Sequence, residues 1–384
     1  MLFESSPKLR RLWGALFSLL LVALPARAGK PQAQAVESIL FPHLGIQSLE
    51  LPVSPGTRRC CLLGTNLKMF GIIPGKQTRD PASLGEHHFG GGHGEYNGNI
   101  ATCRAGFIDT AHVRYAADLV AKLALQIEEL GPKGGRLAPH FEGTRAVLEI
   151  TPWPTDVADA AQYVIETAGA IALDQLSWHE IVTWYHFSEM PLYTEKGSSF
   201  SPEDAYSNQV GIYIGKRAIR TSIRYGISYA SAVTRILNAL LRQFEALPEE
   251  DAAWIMTHLE AGTAFDPLLA DEPWFNPKYQ IPNYRRLLKR QTHLYGDVKP
   301  TLPPASLLLD ACRGESWSSD DLDFWSMNQQ QYPGRYQFEL RLKRGSKAYK
   351  AWNKRLPVIR AGDFATMIEE IRAEIATEWM NALL

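Results

Sequence analysis

Apolar residues recur at helical spacing along several stretches of the chain, and the polar residues that interrupt them are few. In residues 109–130, Val113, Ala116, Val120, Ala124 and Ile127 form one stripe, and Gly131-Pro132 supplies a stop, so a helix is expected there. Residues 145–151 alternate as a strand, closed by Pro152 and Pro154. A second helical run opens near Thr155-Asp156 and passes Ala160, Val164, Ala168 and Ile171 to about Phe187, either continuous or broken within residues 174–177. Ser201-Pro202-Glu203-Asp204 reads as a helix start: a capping serine, a proline whose missing N–H costs nothing in the first turn, and acids that suit the positive end of the helix dipole. That helix is expected to run past Gly211 and Gly215, whose missing side chains let another element approach closely. Residues 228–247 and 248–260 read as two more helices, and residues 336–342 as a strand. Asp363 opens an amphipathic helix with Met367, Ile368, Ile371 and Ile375 on one side. The pattern predicts a predominantly α fold with a few short strands, an α+β chain in which residues 101–384 make a single large helical domain.

Residues 29–100 have a different texture, rich in Gly, Pro and polar turns, with short apolar stretches only at residues 60–64 and 69–73. Within them, residues 85–96 (GEHHFGGGHGEY) are expected to form a mobile loop, because glycine loses the most conformational freedom on ordering. Its three histidines and two glutamates could supply ligands or substrate contacts, although a solvated loop beside the core is the simpler reading. Residues 1–28 place Lys8, Arg10 and Arg11 before an apolar run and Pro25-Ala26-Arg27-Ala28 after it, the order of a cleavable signal peptide. Cleavage after Ala28 would leave no transmembrane span and a periplasmic or secreted chain with 36 basic and 40 acidic residues. That balance offers no general field for nucleic acid or anionic lipid. Four cysteines, Cys60, Cys61, Cys103 and Cys312, could give two disulfides in an exported protein, but adjacent Cys60 and Cys61 do not readily bridge each other and each would need Cys103 or Cys312, so one disulfide or none is expected.

Two segments put ionisable side chains where the pattern reads as buried helix, which costs several kcal/mol unless those groups are paired, hydrogen-bonded or metal-bound. In residues 106–114, Asp109 and His112 lie one turn apart. Asp-x-x-His at that spacing can offer a carboxylate oxygen and an imidazole nitrogen to one cation, or let the aspartate fix the histidine tautomer. The alternative is that Asp109 caps the helix and His112 is a satisfied core residue. In residues 177–186, Trp178, Ile181, Trp184 and Tyr185 surround Glu180 with bulk that would desolvate it, raise its pKa and suit a general base or a ligand. The alternative there is a capping box between Ser177 and Glu180 if the helix restarts. His179-Glu180 begins the zinc-peptidase signature His-Glu-x-x-His, but Thr183 stands where the second histidine belongs.

Gly106-Phe107-Ile108-Asp109-x-x-His112-x-Arg114 with Asp118, Trp178-His179-Glu180-Ile181-x-Thr183-Trp184-Tyr185, and Phe200-Ser201-Pro202-Glu203-Asp204-x-Tyr206-Ser207-Asn208 together resemble the bacterial domain of unknown function 4056 family. The resemblance implies a secreted or envelope bacterial protein and brings no assigned activity with it. It singles out Asp109, His112, Arg114, Glu180, Tyr206, Ser207 and Asn208 as positions to be considered together.

The residues point first to a metal-assisted hydrolase acting on a substrate of the cell envelope. His112, Asp109, Glu180 and His179 would hold a divalent metal such as zinc. Glu180 and His112 would carry the chemistry, and Arg114 or Asn208 would stabilise the developing oxyanion. The alternative is a non-catalytic envelope binding or scaffolding protein, in which the same groups form a buried polar network and Trp274, Phe275 and Trp317 make the contacts. A third reading is a cell-wall cysteine amidase or peptidase. It rests on Cys103 near His112 and on residues 210–215, which resemble the strand after a catalytic histidine, although Gln209 occupies that histidine's place.

Overall fold

Helix α1 (Thr110–Leu130) is the axis around which the rest is packed, and it follows directly from a β-hairpin. Strands β1 (Asn99–Thr102) and β2 (Gly106–Asp109) pair antiparallel, Asn99 opposite Asp109 and Thr102 opposite Gly106, and Asp109 then caps α1. The first four residues of the Gly106 motif are therefore strand, not helix. The computed structural model describes residues 78–154, 156–185, 199–261, 335–345 and 347–383, with a few isolated positions, all within one compact unit, Pro42–Leu384. The expected signal peptide, Cys60, Cys61, His186, Trp274, Phe275, Trp317 and nearly all of residues 276–306 lie outside the described residues.

After α1 come β3 (Gly135–Leu137), β4 (Thr144–Ile150), α2 (Val157–Trp184), α3 (Pro202–Tyr225), α4 (Tyr229–Gln243), α5 (Glu249–Ala261), β5 (Tyr336–Leu342), α6 (Lys347–Trp352) and α7 (Ala361–Leu383). Among the described residues this is a mostly helical α+β fold of seven helices and five strands. Strands β3, β4 and β5 form an antiparallel sheet in that order, with Leu148 opposite Phe338. Phe141, Phe338, Phe364 and Trp178 stack in sequence with ring centroids 5.5 Å apart, joining the sheet to α7 and to the far end of α2. Such offset aromatic contacts add to area burial, and here they hold the turn of α2 that carries Glu180.

Helix α3 lies against α1 at unusually close range. A Cβ on Gly211 would sit 2.3 Å from the Val113 carbonyl oxygen, and one on Gly215 would sit 2.8 Å from that of Ala117. The two glycines thus serve the close approach expected of them, backed by small residues of α1, Ala116, Ala117, Val120 and Ala121, all fully buried. Contacts advance together along both helices, from Asp204 on His112 to Gly215 on Ala117, so α1 and α3 run parallel. Helix α2 runs the other way: Glu180 meets Phe200 just before α3, and Gly169 meets Ile212 and Lys216 further along it. The three helices therefore bring the N-termini of α1 and α3 and the C-terminal end of α2 to one place. Helix α2 is continuous through Ser177, so Ser177 is no N-cap and the capping-box reading of Glu180 falls away.

Candidate functional site

Each acid of the site uses one oxygen to hold its own element and turns the other inward. Asp109 closes β2 in extended backbone, φ −80° and ψ 104°, and its Oδ1 accepts the amides of Ala111 and His112. Its Oδ2 lies 3.2 Å from His112 Nδ1. Capping and site roles coexist in one side chain. Asp204, in the first turn of α3, has its Oδ2 taken by the Ser201 hydroxyl and its Oδ1 3.2 Å from the same His112 Nδ1. Ser201 was expected to cap α3 through its side chain; its hydroxyl donates to Asp204 instead. Ser207 completes the support by accepting the Asp109 amide at 2.9 Å.

One ligand atom from each of Asp109, His112 and Asp204 falls within a mutual 4.8 Å, and all three residues are buried. A tetrahedral zinc with bonds of about 2.0–2.1 Å holds neighbouring ligand atoms about 3.3–3.4 Å apart. The two 3.2 Å separations at His112 match that spacing. One imidazole and two monodentate carboxylates would leave at least one position open, as catalytic rather than structural sites do.

Glu180 stands beside this group, fixed by the backbone amide of Phe200, which donates to Oε2. Phe200 is fully buried with φ 57°, a left-handed conformation that costs a non-glycine residue about 1 kcal/mol or more. Burial, and after it the charge of Asp204, pushes the Glu180 carboxyl up to about 7, against the opposing pull of His179, His112 and the Phe200 amide. Thr183, at the position where a zinc peptidase has its second histidine, bonds back to the His179 and Glu180 carbonyls and accepts from Ser199.

The other expected residues are placed as follows. His179 Nδ1 lies 2.7 Å from Glu142 Oε2, outside the three-ligand group. Asn208 is buried one turn beyond Asp204, and its Oδ1 has no hydrogen-bond partner among the described residues. Arg114 is fully buried and donates to the carbonyls of Leu84, Gly85 and Tyr96 and to Asn97 Oδ1. It fastens the Gly-rich segment to α1. His87 on that segment is also buried, its Nε2 2.8 Å from Asp118 Oδ1, while His88 and His93 stay exposed. Cys103 is bonded to Cys312, so it has no free thiol, and residues 210–215 are helical. Both supports of the cysteine-peptidase reading are gone.

Asp204, the third candidate ligand, reads in the sequence only as an ordinary first-turn acid. A signal was present: Asp204, Asn208, Gly211 and Gly215 lie on one helical stripe, and the glycines mark the face turned to α1.

The family comparison agrees with the three motifs. The model of the family described as "Protein of unknown function (DUF4056)" matches residues 48–304, more than half of the 384 residues, and the chain belongs to that family. No curated protein and no solved structure matches the chain.

Proposed function

We propose that the protein is a metal-assisted hydrolase of the bacterial envelope in which Asp109, His112 and Asp204 hold a divalent cation and Glu180 is the general base. The observation that carries this reading is the convergence of three buried ligand atoms from two helix N-termini, each carboxylate oriented by a second bond. A bound zinc lowers the pKa of its water to about 7. A carboxyl raised to about 7 is matched to accept a proton at neutral pH. The Phe200 amide holds one Glu180 oxygen and leaves the other for that proton. Asn208, with a buried amide and an uncommitted Oδ1, is the nearest candidate on α3 to orient substrate or water. The Cys103–Cys312 disulfide supports a place outside the reducing cytoplasm, in keeping with the charged, apolar and small-residue order of residues 1–28.

The rival is a non-catalytic protein whose buried network fixes helix packing. It is favoured by the capping bonds of Asp109, because a single imidazole N–H shared between two carboxylates would also hold α1 to α3. Elemental analysis and zinc titration of the exported protein separate the two. One ion per chain, lost in Asp204→Asn, is expected. A chain that takes up no metal, and whose melting temperature ignores both chelator and zinc, would establish the network reading.

A further inference from the structure

Between residues 81–86 and helix α4 lies a groove of about 640 Å³ that includes no residue of the candidate metal site. Its volume is in the range of small-molecule pockets. One wall is residues 81–86, and the other is the C-terminal half of α4 with the turn that follows. The first wall is held in place by hydrogen bonds and backbone geometry. Arg114 binds the Leu84 and Gly85 carbonyls, the His87 amide donates to Thr234 Oγ1 on α4, and Gly85 holds φ +66° where any Cβ would meet the Gly94 oxygen at 1.9 Å. The groove is thus formed before any ligand arrives.

Its lining is chemically divided. Pro81, Ala82 and Ala246 supply accessible apolar surface, Glu86 and Glu245 carboxylates, Arg242 a guanidinium and Asn238 an amide. Opposite charges share the groove, yet the side chains of Glu86, Arg242 and Glu245 enter no ion pair or hydrogen bond among the described residues. Glu245 also adopts φ 56°, strained for a non-glycine residue. Its carbonyl is fixed there by the Cys103 amide.

We infer that this groove is a binding site for a small zwitterion, a free amino acid or short peptide. Its carboxylate meets Arg242, its ammonium meets Glu86 and Glu245, and its side chain lies on Pro81, Ala82 and Ala246. A guanidinium suits a carboxylate through paired N–H donors, and an ammonium needs acceptors of the kind the two glutamates present. The site is independent of whether a metal occupies the group at Asp109, His112 and Asp204.

The test is calorimetric titration of the full chain with alanyl-leucine, its N-acetylated form and its C-terminal amide. Saturable binding of the zwitterion is expected, weakened roughly tenfold by either blocking group and by Arg242→Met. Because Arg242 is exposed, the variant should melt with wild type, which separates lost binding from lost fold. Asp204→Asn should bind alanyl-leucine like wild type, so failure of the metal reading leaves this result unaffected. Equal binding of the blocked peptides, unchanged binding by Arg242→Met, or no saturable binding at millimolar peptide overturns the assignment.

Discussion

Replacing Glu180 by Gln should make the metal-free protein more stable at neutral and alkaline pH and, on the proposed hydrolase reading, abolish its activity. Glu180 is 2% exposed, so solvent screening gives little relief, and its carboxyl rises from 4.5 to about 7 on folding. A folded value above the unfolded one means the carboxyl binds its proton more tightly in the folded state. The associated stability is complete below pH 4.5, declines as pH rises towards 7, and is gone above that. The shift corresponds to about 3 kcal/mol at 1.36 kcal/mol per unit. The Gln variant carries no such penalty, and its amide oxygen can still accept the Phe200 amide. Its NH₂ group must be accommodated where a carboxyl oxygen stood, which takes back about 1 kcal/mol. The variant should therefore exceed wild type by about 2 kcal/mol at alkaline pH and fall slightly below it under acid conditions. Urea denaturation of both proteins across that range, with chelator present, measures the difference, and other titrating groups cancel in it. A difference that stays constant with pH would refute the argument, since it would mean Glu180 is not ionising against its surroundings. Adding zinc should narrow the gap, because the cation favours the ionised carboxylate.

Gly211→Ala should destabilise by about 1–3 kcal/mol despite alanine's better helix propensity, because the contact is with a backbone carbonyl that has no room to yield; thermal melts read this directly. Reducing the disulfide that links residues 209 apart should cost about 2–5 kcal/mol, seen as a lower melting temperature once thiol titration confirms reduction. Arg114→Met should raise amide hydrogen exchange across residues 84–97 by removing the donor shared by three carbonyls. Exchange in the interior of α1 should change little.

The helices and strands were legible because their signals are local. The stripe of α1, the Ser201-Pro202 start of α3, the Gly211 and Gly215 approach and the strand at Tyr336–Leu342 all depend on residues within a few turns of one another. Asp109, His112 and Glu180 stood out because each is a polar group in an apolar run. Asp204 did not, since an acid in the first turn of a helix is unremarkable until the neighbouring helix is known. His179 and Glu180 are adjacent in sequence but 100° apart around α2, and only the position of Glu142 shows which way His179 is drawn. The Gly-rich segment read as solvated because its glycines are local, whereas Arg114, Asp118 and Thr234, which bind it, are distant in the chain.

The motif running from Gly106 to Asp118 divides between two sides of one helix. Asp109 and His112 turn towards α3, whereas Arg114 and Asp118, on roughly the opposite side at 100° per residue, grip residues 84–97. In an evolutionary series these halves answer to different selection. Relatives that shorten or lose the Gly-rich segment should be free to change Arg114 and Asp118 together while retaining Asp109 and His112. If the proposed metal site is correct, relatives that abandon the cation should show the reverse. A family tree in which all four positions vanish at the same branch points would mean that the segment and the buried Asp–His–Asp group serve a single task.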